Sequence, residues 1–176
     1  MTIIVCPLHE VAGQIASRAP ARLVSLLAPD QAAPEAPAAM PRLILSCHDI
    51  PEPWEGYVAP DLGMVEDLLA FGAKWTEPGP MLVHCWMGIS RSTAAALVLA
   101  CAAQPSRDEA EIARALRTAS PSASPNPLIV ALADKLLDRR GRLIRAAASI
   151  GRGAEAPHGQ PFTLAARLAS PGDRVR

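Results

Sequence analysis

The chain has 176 residues, a length that fits one domain with room for a tail and needs neither disulfides nor metal to build a core. Half of its residues are hydrophobic and only 3% are aromatic, which excludes a disordered chain and predicts an aliphatic interior. The formal charge is zero, with 17 basic and 17 acidic residues, so the overall basic excess of a nucleic-acid binder is missing.

Taken in chain order, the sequence alternates strand and helix patterns. Ile3-Ile4-Val5-Cys6 is a short β-branched run, 9–18 fits a brief helix, and 22–27 is a second apolar strand. Prolines and alanines across 29–41 mark a surface loop. A third strand at 43–47 runs into His48-Asp49-Ile50-Pro51-Glu52-Pro53, whose prolines stop both a ladder and a helix. Leu62, Val65, Leu68 and Leu69 recur at helical spacing, with Asp61 at the N-cap position. Met81-Leu82-Val83-His84 is the fourth strand, and 90–103 reads as a buried helix. A charged amphipathic helix at 108–118 and a last helix at 127–140, opened by Pro127, complete the pattern. The expected architecture is α/β, a mainly parallel sheet of four to five strands flanked by helices. The last 38 residues carry 8 Arg and 2 acids with weak periodicity. The chain therefore divides into a domain over 1–145 and a basic, loosely attached tail over 146–176. The longest apolar run, Ala94 to Ala103, is about half the ~20 residues that cross a bilayer, and no basic region precedes an apolar N-terminal segment. These features predict a cytoplasmic protein with neither membrane nor nucleic acid as partner.

Four cysteines, Cys6, Cys47, Cys85 and Cys101, stand far apart without a C-x-x-C pair, which leaves a thiol free for chemistry. The informative segment is His84-Cys85-Trp86-Met87-Gly88-Ile89-Ser90-Arg91-Ser92. A bare C-x5-R carries little information, but here the Cys ends a buried strand, Gly stands three residues later, and a buried helix opens at the Arg. Such a strand-loop-helix connection turns successive backbone N–H groups inward and adds the positive end of a helix dipole. It is a cradle for a phosphoryl group, made by residues 86–91 without metal or cofactor. Arg91 closes the ring with a bidentate fork that Lys cannot match. The same field favours the Cys85 thiolate and lowers its pKa below the free value of ~8.5, which makes it a nucleophile at neutral pH. Gly88 permits the tight turn, and Ser92 is placed to hydrogen-bond the sulfur and assist its departure.

These residues match in full the signature H-C-x-x-G-x-x-R-S/T, and the chain resembles the cysteine-dependent protein tyrosine and dual-specificity phosphatase superfamily. With Ser90 it is most similar to the compact dual-specificity branch, as a compact bacterial member, over residues 42–140. The resemblance implies hydrolysis of a phosphomonoester through a cysteinyl-phosphate intermediate, with a loop aspartate as general acid. Asp49, 36 residues ahead of Cys85, has that placement. The chemistry asks for such a group independently, because the leaving oxygen must be protonated and the intermediate hydrolysed. Asp49 follows a strand expected to neighbour the Met81 strand, which places both at one edge of the sheet. Asp61 is the reserve acid, better explained as an N-cap.

His84 is expected to be loop-orienting, by positioning the Cys85 backbone or hydrogen-bonding a nearby carbonyl. Trp86 and Met87 stand where a basic residue in some relatives selects highly charged substrates, so the expected substrate is a phosphotyrosine, on a protein, or another aryl or small phosphomonoester. Trp54, Tyr57 and Trp86 are candidates for an aromatic lip, the alternative being that they only cover the sheet edge. Other readings are weaker. Cys47-His48 and His84-Cys85 as a zinc site fail because adjacent strand residues point to opposite faces. A low-molecular-weight phosphatase loop at Cys6 meets Ala12 where Arg is needed. A rhodanese-like sulfur transferase and a non-catalytic phosphate-binding module remain as alternatives. Cys47 is an ordinary buried thiol or, if oxidised, a partner for Cys85. His9, His158 and Cys101 support no assignment.

Overall fold

The computed structural model describes residues 1–166. The β-branched run near the N-terminus forms β1 (Thr2–Pro7), and a short 3-10 turn (Leu8–Glu10) leads into α1 (Val11–Arg18). Next come β2 (Arg22–Leu27), β3 (Arg42–Ser46), α2 (Leu62–Ala73) and β4 (Met81–Cys85). Four helices follow, α3 (Arg91–Ala103), α4 (Glu109–Ala119), α5 (Pro127–Leu136) and α6 (Arg142–Ser149), and then β5 (Phe162–Ala165). The strands form one sheet in the order β3-β2-β4-β1-β5, parallel except for the antiparallel pairing of β5 with β1.

Strand side chains alternate between two faces and so feed two cores. Ile3, Val5, Val24, Leu26, Met81 and Val83 meet the layer of α2 to α6. Ile4, Cys6, Leu23 and Leu82 pack against Val11 and Ile15 of α1 and against Met40 from the proline-rich loop. From Arg91 to Cys101 every residue of α3 is buried, as its apolar composition requires. α3 packs against β1, β2, β4 and β5 of the sheet and against α2, α4 and α5, which fixes the helix end at which the His84–Ser92 segment closes.

Three expectations change. β3 does not neighbour β4, because β2 lies between them and pairs with both. The run Arg22–Leu27 is buried at all six positions, as a strand bonded on both sides and covered on both faces must be. The helix expected over 127–140 stops at Leu136, since Asp138, Arg140 and Gly141 take positive φ. The buried Asp134 carboxylate then accepts from Gly141 N–H at 2.7 Å and Leu143 N–H at 2.9 Å, which starts α6. Residues 146–166 are part of the folded unit rather than a loose tail, through α6 and β5; positions 167–176 of that tail lie outside the described residues.

Candidate active site

β4 ends at Cys85 and α3 begins at Arg91, so residues 86–90 form the connecting loop. Its carbonyls are tied to the surrounding scaffold. Trp86 O accepts from Leu8 N–H at 3.2 Å, Met87 O from Gly159 N–H at 2.8 Å, Ile89 O from Ser124 N–H at 2.9 Å, and Ser90 O from Ala94 N–H at 3.0 Å. In a trans peptide the C=O of one residue and the N–H of the next point in opposite directions. Carbonyls fixed outward therefore turn the N–H groups of Met87, Gly88, Ser90 and Arg91 toward the concave side of the loop. Gly88 N–H shows this directly, lying 3.3 Å from Cys85 Sγ as donor. Gly88 has φ +69°, and a Cβ there would stand 2.6 Å from Pro7 N, so only glycine fits between the loop and the end of β1.

Cys85 is 2% exposed, at the floor of the loop, and its Sγ lies 3.1 Å from Ser92 Oγ. The buried Arg91 guanidinium donates from one NH group to Cys47 O at 2.7 Å, while its Nε has no partner among the described residues. Donors therefore remain on the fork for an oxyanion beside the loop. His84 is fully buried in β4, and its Nε2 shares a 2.7 Å hydrogen bond with Ser25 Oγ of β2. Burial pushes the imidazole down to about 4, so it is neutral at pH 7 and couples the strand that carries Cys85 to the centre of the sheet. Cys6 and Cys101 are pushed up to about 12 by burial, and Cys47 to about 11, where the nearby Arg91 charge partly offsets the burial. All four thiols are free and buried.

Asp49 reaches the same loop although its strand is two places away. Cys47 N–H bonds Leu27 O at 2.8 Å, which carries the chain over the end of β2. Asp49 Oδ1 then accepts from Ser90 Oγ and from Asn126 Nδ2, both at 2.7 Å. Oδ2 has no such partner among the described residues, so it is the less committed of the two oxygens. Asn126 was not singled out in the sequence. It is 2% exposed, donates also to Ile50 O at 3.1 Å, and caps α5 by accepting from Ile129 N–H at 3.1 Å. The Asn-Pro start of a helix is a legible cap signal, but nothing in it points to a carboxylate 77 residues away.

The remaining candidates separate. Asp61 caps α2, with Oδ1 accepting from Met64 N–H at 2.8 Å. His48 closes the loop beyond Asp49, its Nδ1 accepting from Val58 N–H at 2.9 Å, and its ring meets Tyr57 edge to face at 5.0 Å. Trp54 meets Tyr57 in the same way at 5.9 Å. Trp86 is not in this stack; it lines a cleft with Leu8, His9 and His158. Among the described residues no three His, Cys, Asp or Glu side chains converge as metal ligands, and no helix is long and apolar enough to cross a membrane.

No family model matches the sequence, and no curated protein matches it. Solved structures do. The chain is similar to DUSP15 at 17% identity, covering 86% of this chain and 92% of that one with a TM-score of 0.60. A mouse putative dual specificity phosphatase complexed with zinc tungstate matches at 21% identity, covering 80% of each chain with a TM-score of 0.56. Human DUSP28 matches at 23% identity over 73% of this chain and 84% of its own, with a TM-score of 0.55. The fold is that of the dual-specificity phosphatases, a five-stranded sheet flanked by helices, as the signature implied.

Proposed function

We propose that the protein is a cysteine-dependent phosphomonoester hydrolase, acting on phosphotyrosine or another aryl or small phosphomonoester. The observation that carries this reading is the convergence on one loop of Cys85 Sγ, the inward amides, the Arg91 fork and the Asp49 carboxyl held by Ser90. The loop amides and Arg91 bind the phosphoryl oxygens and stabilise the charge that develops on them. The Cys85 thiolate attacks phosphorus, the S–P bond forms, the ester P–O bond breaks, and the leaving oxygen takes the proton from Asp49 Oδ2. Asp49, now a carboxylate, takes a proton from the attacking water. The S–P bond breaks, inorganic phosphate leaves, and the returning thiolate accepts a hydrogen bond from Ser92 Oγ.

Arg91 is the one cation of the loop, since Trp86, Met87 and Ile89 carry no charge. That favours a single phosphomonoester over a highly charged ligand. Four free thiols suit a reducing compartment and support a cytoplasmic setting. Turnover of an aryl phosphate by the wild-type chain and by Cys85→Ser tests the reading, together with mass spectrometry of acid-quenched enzyme. The expected result is loss of turnover in the variant and phosphate on Cys85 in the wild type. Equal turnover by both proteins would overturn it.

A further inference from the structure

The cleft lined by Leu8, His9, Trp86 and His158 opens immediately beside the phosphate loop. It starts one residue from the nucleophile, because Pro7 is in register with Cys85 and Leu8 N–H holds Trp86 O. Its far wall is fixed as firmly. His158 precedes Gly159, whose N–H holds Met87 O at 2.8 Å and whose Cα packs so closely that a Cβ would lie 2.6 Å from Gly88 O. The imidazoles of His9 and His158 meet edge to face, with centroids 4.8 Å apart, and the Trp86 indole is 50% exposed.

The charge of the cleft narrows what fits it. No Lys or Arg lines it, and Glu10 Oε1 stands 3.9 Å from His9 Nε2. A second anionic group entering here would face that carboxylate, whereas a neutral planar group would meet three rings and a leucine. The proposed hydrolysis uses none of His9, His158 and Leu8.

We propose that this cleft is a substrate subsite for a second aromatic ring, fused to or flanking the ring that bears the phosphoester. The preferred substrates are then naphthyl- or biaryl-type phosphomonoesters rather than single-ring ones. This rests on the phosphatase reading, and the test separates the two. Calorimetry on Cys85→Ser compares naphthyl and biphenylyl phosphate with phenyl phosphate, and the same titrations are made with His9→Ala/His158→Ala added. Turnover of all three esters by the wild type is measured in parallel. The expected result is two-ring binding about tenfold tighter than one-ring binding, with most of that margin lost in the added His variants. Equal affinity for all three, or a margin that survives both His substitutions, overturns the subsite. A margin without wild-type turnover of any ester overturns the phosphatase reading and leaves the subsite standing. Failure of all three to bind overturns both.

Discussion

Asp49 holds its two oxygens in different settings. Oδ1 accepts two short hydrogen bonds, and Oδ2 accepts none from the described residues. A proton on Oδ1 would have to displace Ser90 or Asn126, so in the proposed hydrolysis the acid would present its hydrogen from Oδ2. Asp49→Asn should therefore slow hydrolysis of esters with poor leaving groups by about a hundredfold or more. Esters of strongly acidic phenols should be slowed far less. Equal losses across a leaving-group series would argue against the acid role. His84 makes a second prediction at this scale. Its folded value of about 4 lies below the unfolded value of 6.5, so the unfolded chain binds the extra proton first. The stability from keeping it neutral is full above pH 6.5 and is lost as pH falls toward 4, on the order of 3 kcal/mol in all. Thermal denaturation across this window should show the decline, and His84→Gln should flatten it.

At the scale of elements, the helices and strands from 2 to 136 follow their sequence patterns closely, because period and burial agree along each one. β3 was misplaced for a physical reason. A strand pattern reports which faces are buried and is silent about which neighbour supplies its hydrogen bonds. The fully buried 22–27 run is the residue-level sign that β2 would sit inside and push β3 to the edge. The signature loop was legible because its residues are contiguous. The scaffold that orients it was not, since Leu8, the Ser124–Asn126 stretch and Gly159 lie in three separate segments and act largely through backbone groups. Two substitutions separate capping from loop support. Asp61→Ala removes the α2 cap and should cost about 1 kcal/mol in denaturant unfolding with turnover unchanged. Gly159→Ala sets a methyl against Gly88 O at a residue whose φ lies outside the left-handed region, so the contact alone is the perturbation. It should weaken vanadate binding about tenfold or more while costing about 1–3 kcal/mol of stability. Vanadate affinity equal to the wild type would show that the loop needs no brace there.

For the whole molecule, the free thiols differ in chemical setting. Burial holds Cys6, Cys47 and Cys101 protonated at neutral pH, whereas Cys85 has an amide and a hydroxyl directed at its sulfur. Alkylation by iodoacetamide at pH 7 should add one label, at Cys85, and vanadate should protect it. Peptide mapping that finds Cys47 modified first would reverse that order. The C-terminal third was the least legible part of the sequence, because its order comes from distant partners. Asp134 starts α6, β5 finds β1 across the sheet, and Arg139 and Arg142 converge on the buried Glu109 of α4. None of these contacts leaves a local period. The stretch holding Gly159 and β5 also sets a timetable. During synthesis the ribosome releases the Cys85 loop more than sixty residues before the glycine that clamps it. A nascent chain thus displays the whole signature while its brace is still missing, and the loop is held on that side only once residues through Gly159 have emerged.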